Sequence, residues 1–107
     1  MGNIDKLMVV ADKMAHQTRH RRVLKEKYQS ENILFYNGGQ FEVTCGLISF
    51  ISELSKDDVQ DVVVIDDLSF PILINNIVDF HKTLISQYAK AANSYYQAFN
   101  ALHEIDT

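Results

Sequence analysis

The chain has 107 residues, 47% of them hydrophobic and 22% charged, which is the balance of a folded globular domain and excludes a disordered chain. No apolar run approaches the roughly 18 residues of a membrane-crossing helix, and no basic segment followed by an apolar stretch marks a signal peptide. The lone cysteine, Cys45, excludes an internal disulfide and is typical of a reducing compartment. We therefore expect a single domain (residues 1–107) in the cytoplasm, or in the host cytoplasm or virion if the protein is viral.

The net charge of −4 conceals a strong asymmetry along the chain. Residues 30–74 contain eight acidic residues and one lysine, whereas the two flanking segments together are basic. A molecule with such separated charges can associate head to tail or orient on a charged partner.

A long helix is predicted over residues 3–29, because Asn3 or Asp5 can cap it and apolar residues follow at helical spacing. Gln17 and Arg21 interrupt its apolar face, so this helix offers only a partial apolar surface to a partner. The residues of that face are Leu7, Val10, Met14, Leu24 and Tyr28.

A β-hairpin and a short helix are predicted next. In the hairpin, residues 32–44, two β-prone runs flank Asn-Gly-Gly at 37–39, which accepts the positive φ of a tight turn. Thr44 then caps an apolar helix over residues 44–55.

A second hairpin is predicted over residues 60–74. Its first strand, 62–65, is continuously apolar, which predicts that both of its faces are covered. Pro71 cannot donate to a strand ladder, so the second strand, 70–74, is expected to begin there or to lie at an edge.

The last helix, predicted over residues 75–105 with Asn75 or Asn76 as its cap, carries the most specific pattern in the chain. Nine residues spaced alternately four and three apart form the seam of a helix that packs along its length against another helix. A second apolar row widens this stripe beyond what one neighbouring helix covers. The seam is Ile77, His81, Leu84, Tyr88, Ala91, Tyr95, Ala98, Leu102 and Ile105, and the second row is Phe80, Ile85, Ala92 and Phe99.

The C-terminal half of this helix is therefore expected to bury surface against another chain, as in a coiled-coil homo-oligomer. Large tyrosines alternate there with small alanines, so facing side chains can interlock. The alternative is that the first helix and the sheet cover this surface within one chain. The expected oligomer seam consists of Tyr88, Ala91, Tyr95, Ala98, Phe99 and Leu102.

The order of elements predicts an α+β fold in which two long antiparallel helices, a helical hairpin, bracket a module of β-hairpin, short helix and β-hairpin. In outline this arrangement is similar to an alpha-type prefoldin subunit, whose helices flank two hairpins. The likeness is one of topology: no sequence motif carries it, the helices here are shorter, and the intervening helix is longer.

A basic surface is predicted on the first helix. Between residues 19 and 27 there are five basic residues and one acidic residue. Antiparallel pairing is expected to set residues 17–27 against about residues 77–90, where Asp79 is the sole acid, so pairing leaves the positive charge uncancelled. This face is then solvated, or it meets an acidic protein surface or nucleic acid, although the overall acidity argues against nucleic acid. The residues expected to contact a partner are Arg19, Arg21, Arg22 and Lys25.

Signals for chemistry are weak. His16 and His20 lie one helical turn apart, as metal ligands can, but the neighbouring arginines oppose a cation and no third ligand is evident. Cys45 at a helix start lacks a histidine that the sequence places nearby as a base. The aspartates between 57 and 67 match no calcium loop, and the glycines match no phosphate-binding loop. We therefore expect no enzyme and no catalytic, cofactor-binding or metal-binding residues.

These patterns favour a non-catalytic, oligomeric protein-interaction or assembly factor of scaffold or chaperone type, such as a small phage or bacterial accessory or structural protein. The alternative is a nucleic-acid- or transcription-associated adaptor or inhibitor that uses the basic face of the first helix. No cofactor and no membrane partner is expected.

Overall fold

The computed structural model describes residues 2–57 and 59–106, with the side chains of 13–57 and 59–102. Within these residues the chain is α+β, as predicted: three helices and two antiparallel hairpins, with a helix at each end. None of the described helices is long and apolar enough to cross a membrane. The elements are α1 (Gly2–Glu31), β1 (Ile33–Tyr36), β2 (Gly39–Glu42), α2 (Cys45–Lys56), β3 (Val62–Ile65), β4 (Pro71–Ile74) and α3 (Ile77–Asp106). The predicted caps Asn3 and Asp5 and the predicted apolar positions Leu7, Val10 and Ile105 lie outside the described side chains.

The first hairpin turns at Asn37 and Gly38, where φ is 50° and 83°. Two consecutive residues of positive φ give a turn whose twist matches that of the strands, and Asn and Gly accept this backbone most readily. After β2, Thr44 begins α2, and its hydroxyl oxygen accepts a 3.0 Å hydrogen bond from the backbone N–H of Leu47.

The second hairpin is covered on one face only, so the prediction that both faces of β3 are covered is wrong. Val64 is buried and Val62 is half-buried, whereas Val63 and Ile65 are 59% and 60% exposed. Side chains alternate across a strand, and the core residues of α2 and α3 pack against one side of this one. Pro71 begins β4, where its missing N–H is tolerated.

The core lies at one end of the molecule, which we call the head: the two hairpins, α2 and residues 77–84 of α3. Phe80 and Leu84 are 0% exposed there, and the Phe80 ring packs edge-on against Phe41 with 5.1 Å between ring centres. Each fully buried side chain of this size stabilises the fold by about 1.5–3 kcal/mol. Among the described side chains of α1 none is buried, so the head supplies most of the stability.

The rest of α1 and α3 forms the arm, which we define as residues 13–31 together with residues 85–102. The two helices run antiparallel, because Gln87 Nε2 donates a 3.1 Å hydrogen bond to the Glu31 carbonyl and, further along the arm, the Tyr28 and Tyr95 ring centres are 4.9 Å apart. The arm makes the molecule long, with extents of 70 × 24 × 19 Å.

The register of the arm differs from the predicted one, in which residues 17–27 face about residues 77–90. Arg21 lies over the Phe99 ring, 5.5 Å from its centre, so the basic stretch faces the later turns of α3. The reason is that β1 packs on the first turns of α3, where the Tyr36 hydroxyl donates a 2.7 Å hydrogen bond to Asp79 Oδ2. The first turns of α3 are therefore occupied by the hairpin and not by α1.

The face that α1 turns toward α3 also differs from the predicted one. Met14, assigned to the apolar face, is 61% exposed. The half-buried residues of α1 are Gln17, His20, Leu24 and Tyr28, which recur at helical spacing and define the side that meets α3. Half of this contacting side is therefore polar.

Candidate interaction surfaces

The predicted basic face lies on the exposed side of α1 in the arm. Arg19, Arg22 and Lys25 are exposed and three residues apart, so their side chains are neighbours on the helix surface. Arg21 is exposed as well, and its guanidinium makes a cation–π contact with Phe99. Neither of the two ion pairs among the described residues involves these four side chains. Their charge is thus uncancelled within the described part of the chain.

Some residues of the predicted oligomer seam are covered by α1, and others are more exposed to solvent. Ala91 is buried, and Tyr95 and Ala98 are half-buried, in the row of α3 that contacts α1. Leu102 is half-buried too, and Tyr88 is 38% exposed. Part of the heptad pattern is therefore used inside the chain.

Beside this row α3 carries an apolar stripe that α1 does not fully cover, and we call it the arm stripe. Tyr96 is 66% exposed, and with Tyr28, Tyr95 and Phe99 it lines an open groove of about 300 Å³. Tyr96 is absent from the predicted seam. Its spacing in the sequence, four residues after Ala92 and three before Phe99, places it on the same face of the helix as those two residues. The arm stripe consists of Ile85, Tyr88, Ala92, Tyr96 and Phe99, each exposed or half-buried.

A second uncovered apolar surface, which the sequence patterns did not predict, lies on the outer face of the second hairpin. Val63 and Leu73 face each other across β3 and β4, and both are more than half exposed. The sequence pattern that could have predicted this surface is the run of apolar residues in both strands. Because successive positions are apolar, the face of the hairpin that the core does not cover is apolar too. We call this surface the head patch; it consists of Val63, Ile65, Leu68, Phe70 and Leu73, each more than half exposed.

The acidic turn of the second hairpin covers the free edge of β2. The Gln40 N–H donates to Asp66 Oδ2 at 3.1 Å, and the Glu42 N–H donates to Asp67 Oδ2 at 2.7 Å. The Asp67 N–H donates in turn to the Gln40 carbonyl at 2.9 Å. These bonds satisfy strand-edge groups that would otherwise be open to another strand, so both aspartates have a structural role.

Asp66 is the buried member of this pair, with 7% of its surface exposed. Burial alone would raise the pKa of its carboxyl group, but the backbone N–H groups of Gln40, Phe70 and Leu68 donate to it and favour the charged form. The net result is a pKa below the ordinary value, so the carboxylate is ionised at neutral pH.

Two tyrosines and an asparagine hold the joint between head and arm. Burial raises the pKa of Tyr36 to about 12, with further contributions from its hydrogen bond to Asp79 and from that negative charge. Asn32 Nδ2 donates to the Val43 carbonyl at 3.0 Å and to the Tyr28 hydroxyl at 3.1 Å. Burial likewise raises the pKa of Tyr28. Both phenols stay protonated at neutral pH and serve as polar anchors.

The residues with possible reactivity stand apart from one another. The His16 and His20 rings lie on the arm with 3.9 Å between their centres and their planes tilted by 58°, and Cys45 is exposed at the first position of α2 in the head. Among the described residues there is no group of three or more His, Cys, Asp and Glu side chains that could hold a metal ion.

No protein-family model, no curated protein and no solved structure gives a significant match to this chain. The exposed surfaces of the chain are therefore the basis for inferring its function.

Proposed function

We propose that this chain is a non-catalytic protein-interaction or assembly factor of scaffold type that acts as a homo-oligomer, as an accessory or structural protein of a phage or bacterium. The observation that carries the proposal is the arm stripe: a line of large apolar side chains on α3 beside the row that α1 covers. Its setting is the cytoplasm, or the virion of a phage, for which the lone Cys45 is the support.

Tyr96 provides an energetic reason for association, because two thirds of its surface is exposed. Covering that part removes about 100–150 Å² from water and is worth about 2–3 kcal/mol. An exposed aromatic side chain does nothing for the folding of a single chain, whereas aromatic residues are enriched in interface cores. α1 covers one row of α3, and half of the side that it presents there, Gln17 and His20, is polar.

The test is the molar mass of the purified protein, measured by light scattering and by sedimentation equilibrium over a range of concentrations. We expect a defined oligomer for the wild type and a shift toward monomer for Tyr96→Glu. The matched control is Val23→Glu, which introduces the same charge at an apolar, 57% exposed position elsewhere on the arm. A wild type that stays monomeric at high concentration, or a Tyr96→Glu variant with unchanged mass, would contradict the proposal.

A second candidate is an adaptor or inhibitor associated with nucleic acid or transcription, favoured by Arg19, Arg22 and Lys25, which are exposed and form no ion pair with any other described residue. Binding of DNA or RNA through phosphates should weaken steeply from low to physiological salt, with a slope of about −0.9 per phosphate contact for duplex DNA. The double variant Arg19→Gln/Arg22→Gln should lose this binding. Lys82→Gln/Lys90→Gln, which removes two exposed charges from α3, is the control. No binding at low salt would exclude this candidate.

A further inference from the structure

Two uncovered apolar surfaces lie in different parts of the molecule and carry opposite charge at their borders. The head patch is bordered along the chain by exposed Asp61, two residues before Val63, and by exposed Asp67, which directly precedes Leu68. The arm stripe is flanked by Arg21, which lies over Phe99, and exposed Lys25 follows Arg21 one helical turn later on α1. Within the described residues neither border is neutralised by an ion pair to these groups.

We infer that the head patch of one copy docks on the arm stripe of a second copy, so that the copies associate head to tail. The inference rests on the proposed self-association and names what covers the arm stripe. Apolar side chains then meet apolar side chains in the centre, and Asp61 and Asp67 meet Arg21 and Lys25 at the rim.

The areas support this pairing. The five side chains of the head patch, each exposed by more than half, present about 100 Å² apiece and about 500 Å² together. The arm stripe adds about 400 Å² by the same reckoning. A stable interface buries about 1,600 Å², of which about 60% is apolar, or roughly 950 Å². One head patch and one arm stripe therefore supply what a stable interface of ordinary size needs.

Charge decides between this arrangement and a symmetric one. A head-to-head dimer places Asp61 and Asp67 of both copies around one interface, and an arm-to-arm dimer does the same with Arg21 and Lys25. Like charges across an interface cost several kcal/mol, whereas opposite charges steer the partners together. The head-to-tail arrangement is the one in which both rims are complementary.

A head-to-tail contact is heterologous, so repetition closes into a ring or continues as a filament. This property gives a sharp test. Ile65→Asp disables the head patch and leaves the arm stripe intact, whereas Tyr96→Glu disables the arm stripe and leaves the head patch intact. Because both positions are exposed, neither change disturbs the core.

Each variant alone should be monomeric by light scattering, and an equimolar mixture should form a heterodimer that stops at two chains. The heterodimer should weaken as salt rises, because its rim is made of exposed charges. Circular dichroism checks that both variants are folded. If Ile65→Asp is not folded, Leu73→Ser replaces it as the head-patch variant; if Tyr96→Glu is not folded, Ile85→Ser replaces it as the arm-stripe variant.

The other outcomes overturn the inference in distinguishable ways. If Ile65→Asp alone still self-associates, the interface is arm to arm; if Tyr96→Glu alone does, it is head to head. If the wild type is oligomeric but the mixed variants stay monomeric, head-to-tail docking is wrong while self-association stands. A wild type that is monomeric removes both proposals.

Discussion

Replacing Leu84 with alanine should destabilise the protein far more than the same replacement at Leu24, although both leucines lie on helices of 30 residues. Leu84 is 0% exposed in the core of the head, whereas Leu24 is half-buried in the arm. The pair thus tests whether the head holds most of the folding free energy.

The expected magnitudes follow from burial. Leu84→Ala removes the transfer free energy of the deleted atoms and leaves a cavity in the core, at a cost of about 3–5 kcal/mol. Leu24→Ala leaves no cavity, because water can fill the space in the half-buried site. The loss in unfolding free energy is then that of the buried part of about three methylene groups, each worth roughly 0.8 kcal/mol when fully buried, or about 1–1.5 kcal/mol in total. Since a chain of this size is stable by about 5–15 kcal/mol, Leu84→Ala should remove a large fraction of the total.

Urea unfolding followed by circular dichroism measures both effects. With a slope of about 2 kcal/mol per molar urea, Leu84→Ala should lower the midpoint by about 2 M and Leu24→Ala by about 0.5 M. The protein concentration must be varied, because an oligomer gains stability with concentration. Equal losses for the two variants, or a larger loss at Leu24, would refute the idea that the arm contributes little to stability.

Three further variants test the hairpins and α2. The pKa of Asp66 lies below its ordinary 3.8, so the stabilisation from its carboxylate is present at neutral pH and disappears as pH falls through the folded pKa. In urea unfolding, Asp66→Asn should therefore be less stable than wild type at neutral pH and converge with it in strong acid; the control is Glu26→Gln, at an exposed position of α1 outside the head patch and the arm stripe. In Gly39→Ala the new Cβ would lie 2.6 Å from Ile72 Cγ1 and 2.9 Å from Phe41 Cε2, which should cost about 1–3 kcal/mol. A double-mutant cycle with Ile72→Ala should relieve part of this cost, since the contact with the Phe41 ring remains, and strict additivity would argue against the close contact with Ile72. Thr44→Ala removes the α2 cap and should lower the free energy of unfolding by about 1 kcal/mol, measured by urea unfolding, and a loss near zero would mean that the cap adds nothing.

Local features could be predicted from the sequence because neighbouring residues determine them. The turn at Asn37 and Gly38 needs positive φ, and these residues supply it. Each helix cap depends on one side chain and on the backbone N–H of the residue three positions later. The Thr44 hydroxyl oxygen accepts from the Leu47 N–H, and Asn76 Oδ1 accepts from the Asp79 N–H at 3.0 Å. Choosing between Asn75 and Asn76 required the structure, since both residues have the same capping chemistry.

Features that depend on distant residues could not be predicted in the same way. The run from Val62 to Ile65 is apolar at every position, and the sequence does not reveal that the core covers only the face with Val62 and Val64. The register of the arm depends on how β1 packs on α3, which places Arg21 at Phe99. The one-sided covering of the second hairpin creates the head patch, and the register of the arm leaves the arm stripe exposed. The predicted seam therefore contains only part of the arm stripe and none of the head patch.

The shape of the molecule separates the residues that serve folding from those that serve association. A compact domain of about 100 residues has a radius of gyration of about 13 Å, whereas that of this chain is 20.1 Å. The excess arises from the arm, where two helices meet along one row and leave the flank with Tyr96 in water. Because Tyr96 is mostly exposed in the single chain, Tyr96→Ser should change the unfolding free energy of the dilute protein by no more than about 0.5 kcal/mol.

The same variant should weaken self-association at least tenfold, since covering Tyr96 is worth about 2–3 kcal/mol and 1.4 kcal/mol is a factor of ten. Sedimentation equilibrium measures the association, and urea unfolding at low concentration measures the folding. Val23→Ser, at another exposed apolar position of the arm, should change neither quantity beyond the same margin. If Tyr96→Ser lowers stability and leaves association intact, this tyrosine belongs to the fold, and the arm stripe loses its central residue as an interface.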